Sequence, residues 1–256
     1  MIYVGTSGFS YDDWVGPYYP PNLSKNDWLR FYAKEFNTLE INYTYYRIPT
    51  ARTLARMARK TPSEFLFTIK TPQEMTHMRE AEPALFAQFI EALKPLRDEK
   101  KFGAVLAQFP HSFHYTAENL AYLKTFREQL RDLPVVIEFR DAQWLNAKTF
   151  AFLREQQLGF CCVDEPRLKG LLPPVAEATA SVAYLRFHGR NAGKWWQHEE
   201  AYERYDYTYS KAELEEWTPQ IRKLNDLAEV TFVFANNHYR AQGIETARQL
   251  KLLLES

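Results

Sequence analysis

Tyr184-Leu185-Arg186-Phe187-His188-Gly189-Arg190 decides how the chain is read. Ala183, Leu185 and Phe187 share one parity, while Tyr184, Arg186, His188 and Arg190 share the other. Successive side chains of a strand point to opposite faces. The stretch therefore predicts a strand with one apolar face and one face bearing two guanidiniums and an imidazole. That pattern suits a barrel of parallel strands, whose inward face is packed low down and becomes an active-site floor near the C-terminal ends.

Working outward, strand and helix signals alternate along the chain, as in a parallel sheet with crossover helices. Strands are predicted over Ile2–Gly5, Thr38–Asn42, Phe65–Lys70, Gly103–Phe109, Val135–Arg140, Phe160–Val163, Val182–His188 and Val230–Ala235. Between them lie helical patterns. The first runs from Ser24 or Asn26 to Phe36, and the second is capped by Thr50. The third opens at Pro83 and should bend or end at Pro95. The fourth starts near Thr116. The fifth is capped by Asn146 and stops at Leu158-Gly159. Ser210 with Glu213 forms a capping-box pattern ahead of a helix in which Pro219 predicts a kink. Ile244, Ala247, Leu250 and Leu254 mark the last helix. After the sixth strand, Pro166, Gly170, Pro173 and Pro174 argue for loop with at most one short helix.

Eight strands in 256 residues predict a single α/β domain over 1–256, a TIM (β/α)8 barrel. A doubly wound open sheet is the alternative fold, but neither G-x-G-x-x-G nor a P-loop occurs. Lys plus Arg equals Asp plus Glu at 32 each, so no global field draws nucleic acid or an anionic membrane. No run of 18 apolar residues predicts a membrane span. The N-terminus reads as strand and not as a secretory signal. Cys161 and Cys162 are the two cysteines, adjacent on a strand and so pointing apart, which fits a reduced cytoplasmic interior.

The chemistry falls at the strand ends. Glu40 and Asn42 end the second strand, Lys70 the third, Gln108 the fourth, and Glu138 and Arg140 the fifth. Asp164 follows the sixth, Arg186, His188 and Arg190 the seventh, and Asn236, Asn237 and His238 the eighth. Residues two positions earlier, such as Thr68, Leu106, Val136 and Phe234, are mostly apolar. Burying charge is costly unless it is paired, and Glu40 and Glu138 find candidate partners in Lys70, Arg140 and Arg186. The set reads either as ion pairs across the mouth or as a site. As a site, Arg140 and Arg186 clamp an anion, Glu40 and Glu138 act as acid and base, and His188 assists. Lys70 forms a Schiff base only with a depressed pKa, which nearby carboxylates oppose. Asn236 and Asn237 either meet a substrate or cap the last helix. Without H-E-x-x-H or His-x-His spacing, no metal and no cofactor is expected. Aromatics crowd the loops after the strands, among them Tyr11, Trp14, Tyr45, Trp195 and Trp196, where they stack on a ligand or pack the rim.

These stretches also resemble a known family. Gly5-Thr6-Ser7-Gly8-Phe9-Ser10-Tyr11 through Trp14, Gly16, Tyr19 and Pro20 is similar to the opening motif of the YecE-like proteins, catalogued as domain of unknown function seventy-two. Phe36-Asn37-Thr38-Leu39-Glu40-Ile41-Asn42 with Tyr45-Tyr46 is similar to their second motif. Phe67, Lys70, Thr76-His77, Gln108-Phe109-Pro110, Glu138-Phe139-Arg140 with Trp144, Tyr184–Arg190 and Asn236-Asn237-His238 match in order. The departures are Ala235, where Phe is common, and His111, where a second Pro is common. The resemblance implies a TIM-type barrel.

Together these observations lead us to expect a cytoplasmic hydrolase or lyase acting on a small anionic molecule, such as a phosphorylated one, at the C-terminal face. Lys70, Gln108, Arg140, Arg186, Arg190, Asn236 and Asn237 would bind it, and Glu40, Glu138 and His188 would transfer protons. A nucleic-acid-binding or nuclease-like barrel and a non-catalytic ligand-binding protein are the other readings.

Overall fold

β-branched and aromatic runs fold into eight parallel strands that pair in chain order and close on themselves. The computed structural model describes residues 1–255. The strands are β1 (Ile2–Ser7), β2 (Thr38–Ile41), β3 (Leu66–Lys70), β4 (Phe102–Gln108), β5 (Val135–Glu138), β6 (Leu158–Asp164), β7 (Val182–Phe187) and β8 (Val230–Ala235). Pairing of β1 with β8, from Ile2 opposite Thr231 to Thr6 opposite Ala235, seals the barrel. Helices α1 (Trp28–Tyr32), α2 (Ala51–Ala58), α3 (Pro83–Asp98), α4 (Ala117–Gln129) and α5 (Ala147–Glu155) follow β1 to β5 in turn. Between β7 and β8 lie α6 (Lys211–Glu215) and α7 (Thr218–Leu227), and α8 (Gln242–Glu255) ends the chain. Among the described residues no helix is long and apolar enough to cross a membrane.

Side-chain caps start four of these helices. Thr50, Thr116 and Asn146 each accept from the backbone N–H three residues on, and Ser210 with Glu213 completes both halves of a capping box.

Where helices stop departs from expectation in four places. The first helix is only Trp28–Tyr32, preceded by a 3-10 turn over Lys25–Asp27 that Ser24 caps. Pro95 stays within α3, which runs three residues further before Lys100 takes a left-handed conformation. A proline acts on the turn before it, through the i−4 carbonyl and its own missing N–H, and the helix ends within one turn after it. Gln157, and not Gly159, is the left-handed residue after α5. Gly159 instead belongs to β6, where an added Cβ would lie 3.0 Å from Val136 Cγ2 and Val182 O. Pro219 does not kink one helix; it sits in the first turn of a second one, where its missing N–H costs nothing. The segment between β6 and β7 forms no α-helix among the described residues, as its prolines predict.

The barrel closes tightly between β1 and β2. A Cβ at Gly5 would stand 2.3 Å from Thr38 O and 2.9 Å from Tyr32 Oη. Tyr32 Oη bridges the same strands, accepting from Thr6 N at 2.8 Å and donating to Thr38 O at 3.0 Å. Backbone on one side and a bonded phenol on the other leave nothing free to move. Gly5→Ala is expected to cost about 3 kcal/mol by overpacking, read as a lower urea midpoint with an unchanged slope. A wild-type midpoint would show that the strands separate easily here.

Candidate active site

The site rises from one inward column of β7. Tyr184 packs on Phe232 and Phe234, with ring centroids 6.0 and 5.2 Å away. Its hydroxyl donates to Glu40 Oε2 at 2.7 Å and lies 2.8 Å from the Thr68 hydroxyl. Two residues on stands Arg186, only 2% exposed. Its Nε and Nη2 grip Glu40 at 3.0 and 2.7 Å, and its Nη1 donates to Glu138 Oε2 at 2.7 Å. Nη2 also reaches Ser7 Oγ and Asn236 Oδ1. Burial works against the Arg186 charge, but Glu138 and Glu40 outweigh it and hold the guanidinium cationic. Because its donors are engaged by the protein, Arg186 is a poor anion clamp. It is the hub that makes two buried carboxylates tolerable.

Glu138 is fully buried behind this hub. Burial pushes its carboxyl up, but Arg140, Arg186 and His188 together hold it well below the usual carboxylate range. His188 lies beyond it, also fully buried. Asn236 Oδ1 already accepts from Arg186, so its Nδ2 donates to His188 Nδ1 at 2.9 Å. That hydrogen-bond pattern assigns the ring proton to Nε2, which points at Glu138 Oε1, 3.1 Å away. Burial and Arg140 push the imidazole down to about 3, so it stays neutral. Both ring nitrogens are occupied, and neither His188 nor Glu138 borders the mouth cavity. In this geometry the His188 ring is held against Glu138, and Glu138 is the counter-ion to two arginines. Glu40 borders the cavity but is itself fully buried.

Arg140 differs from Arg186. Its Nε lies 2.6 Å from Glu138 Oε1, and its Nη1 donates to Glu165 Oε2 at 3.1 Å. Nη2 has no hydrogen-bond partner among the described residues, and the side chain lines the cavity. Burial pushes the Glu165 carboxyl up to about 7, even with Arg140 beside it. Glu165 was missed in the sequence, although alternation gives a signal for it. Cys161, Val163 and Glu165 share a parity, and Cys161 Sγ lies 3.9 Å from Glu138 Oε2 inside the barrel.

Lys70 departs furthest from expectation. Among the described residues no carboxylate lies within ion-pair distance of it. Arg186 and Arg140 offset Glu40 and Glu138, so the carboxylates fail to hold the ammonium. Burial, with Arg186 next, lowers Lys70 from 10.5 to about 7. Nζ donates to Gln108 Oε1 at 2.9 Å and sits 4.7 Å over the Tyr45 ring. The Gln108 amide is itself fixed, its Nε2 donating to Phe109 O at 2.8 Å. His77, edge-on to Tyr45, comes from a π-helical turn over Glu74–Met78, a distortion frequent at functional sites. Burial and Lys70 push His77 down to about 4.

Two expected residues point elsewhere. Gly189 has φ of 89°, which breaks the strand alternation, and Arg190 swings out of the column. Its guanidinium pairs with Asp164 at 2.7 Å and reaches Glu213 and Glu216 at 3.3 and 3.1 Å. Tyr209 and Trp217 also donate to Asp164, so this cluster ties the helices after β7 to the barrel. Asn237 donates to Tyr207 O and Thr246 Oγ1 and thereby anchors α8.

What remains is a cavity of about 710 Å³ at the C-terminal ends of the strands. Lys70, Gln108, Arg140 and Asn236 form its polar wall, and Tyr11, Tyr45, Trp195 and Tyr205 its aromatic one. Arg204, from the loop after β7, was also missed. It and Arg140 lie over the same Trp195 ring, 5.4 and 5.7 Å from its centroid. Among the described residues no three His, Cys, Asp or Glu side chains are grouped as metal ligands.

Comparison with known proteins follows the geometry. The family model described as "Protein of unknown function DUF72" matches residues 3–256. The UPF0759 protein YunF of Bacillus subtilis is 31% identical over 271 residues, covering 100% of this chain and 95% of its own. A crystal structure of a DUF72 family protein from Thermotoga maritima superposes with a TM-score of 0.92 at 40% identity, over 100% of both chains. D-psicose 3-epimerase from Clostridium cellulolyticum, with D-tagatose, is similar at TM-score 0.53 and 11% identity over 99% of this chain and 97% of its own, a likeness of fold alone.

Proposed function

The chain belongs to the DUF72 family, and from that premise we propose that its barrel mouth is the active site of an enzyme, of lyase type, for a small anionic substrate. The reading is carried by the charge of the cavity wall. Lys70, Arg140, Arg186 and Arg204 line it against one carboxylate, Glu40. Arg186 is neutralised by Glu40 and Arg140 by Glu138, so Arg204 is the lining cation without an ion-pair partner among the described residues, and Arg140 Nη2 and the Lys70 amine face the contents beside it. The volume lies within the range of small-molecule sites. Arg140 Nη2 and Arg204 hold the anion, with Trp195 beneath both. Lys70 supplies an uncharged amine as base or nucleophile, which favours lyase over hydrolase chemistry. A cytoplasmic setting is part of the same reading, since Cys161 and Cys162 are both buried and unpaired.

Dihydroxyacetone phosphate, with dihydroxyacetone as its uncharged control, tests the anion role through Trp fluorescence. The phosphate-bearing compound is expected to bind more tightly. Arg204→Met should weaken it about ten-fold or more, the worth of one charge-assisted hydrogen bond. Equal affinity for the two compounds, or an Arg204→Met protein that binds as wild type, counts against the proposal. The nucleic-acid reading draws on Tyr46 and Trp196, exposed at the rim by 75% and 51%. It requires affinity for single strands that falls steeply with salt.

A further inference from the structure

Resting on the anion-site reading above, we propose that Lys70 captures the carbonyl group of an anion-bearing aldehyde or ketone as an imine at the mouth of the barrel. The geometry around Nζ supports it. Gln108 Oε1 holds one N–H at 2.9 Å, and the Gln108 amide cannot turn its NH2 toward the amine because that end is bonded to Phe109 O. The Tyr45 ring covers a second side. The remaining side opens to the cavity, where a carbonyl carbon meets the nitrogen lone pair. No carboxylate within 4 Å ties the nitrogen up as a salt bridge among the described residues. An attacking amine must be neutral, and burial supplies that state near neutral pH.

The step balances without a further reactant. Nζ attacks the carbonyl carbon, a C–N bond forms and the C=O π bond breaks to give a carbinolamine. The carbon–oxygen bond then breaks as C=N forms. The two protons lost from the neutral amine leave with that oxygen as water. The resulting imine, once protonated, draws electrons from the adjacent carbon, which is what a lyase needs to break a bond there. Arg140 and Arg204 hold the anionic end of the substrate, and Tyr11 and Tyr45 flank its carbon skeleton.

The test is reductive trapping. The full chain is incubated with dihydroxyacetone phosphate or with pyruvate at pH ~7.5, treated with borohydride, digested and mapped by mass spectrometry. Lys70 is expected to carry the reduced adduct in preference to every other lysine. Its neutral fraction at this pH exceeds that of a solvent lysine by roughly several hundred-fold. Lys70→Met, checked for folding by near-ultraviolet circular dichroism, should lose the adduct. Probe binding without an adduct at Lys70 overturns the imine and leaves the anion site standing. Adducts spread evenly over surface lysines overturn it too. Absence of both binding and adduct removes the imine and the anion site together.

Discussion

Arg186→Met is expected to cost about 3–5 kcal/mol, the loss seen when one partner of a buried ion pair is removed. Methionine fills most of the same space, so the change reports charge and hydrogen bonding more than packing. Glu40 loses both of its guanidinium contacts and Glu138 loses one, and neither carboxylate is solvent-exposed. Ser7 Oγ and Asn236 Oδ1 lose a donor as well. Once Asn236 is freed, the fixed tautomer of His188 loses its support. The measurement is urea unfolding of wild type and variant across pH. At neutral pH the gap should be widest. It should narrow as pH falls, because Glu138, with one of the cations that hold its carboxyl low removed, protonates more readily in the variant than in the wild type. Adding Glu40→Gln should recover part of the loss. A variant as stable as wild type would mean that the carboxylates reach water or another cation, and the hub would be misassigned.

This experiment also separates two roles that the sequence alone leaves merged. Alternation in Tyr184, Arg186 and His188 makes the inward column legible, and eight such strands make the barrel legible. Alternation says which face a side chain takes but not which partner satisfies it. Arg186 reads equally well as an anion clamp or as a counter-ion until Glu40 is found bidentate on its fork. Arg190 continues the parity on paper, but Gly189 at positive φ ends it in space. Glu165 lies one residue beyond Asp164, the end of β6, and its inward direction follows from Cys161 and Val163. Arg204 and His77 had no such signal. One comes from a long loop without periodicity, the other from a π-helical turn that no spacing rule announces. Lys70 was visible as a residue and not as a chemical state. The direction of its pKa is set first by burial and then by the balance of four neighbouring charges, and both exist only after folding.

Lys70→Met supplies the complementary result, a gain in stability that depends on pH. In the folded chain the amine loses its proton near 7, and in the unfolded chain near 10.5. Between those values the unfolded state binds more protons, so wild-type stability rises with pH across the window. The contribution is complete above about 10.5 and is lost as pH falls through about 7. The shift corresponds to roughly 5 kcal/mol at 1.36 per unit. Water reaching the open side of the cavity reduces this to on the order of 3 kcal/mol. The variant has no such group, so its advantage over wild type should be largest below pH ~7 and should vanish toward pH ~10.5. Gln108 Oε1 loses a donor in the variant, which lowers its curve by about 1 kcal/mol at every pH and leaves the slope untouched. Parallel stability curves for the two proteins would show that Lys70 titrates as an ordinary lysine, and its chemistry at the mouth would fall with that result. A gap that is full below pH ~7 and closes across the window means that the fold keeps an amine it would be more stable without. Residues of that kind belong to function, because packing alone selects against them.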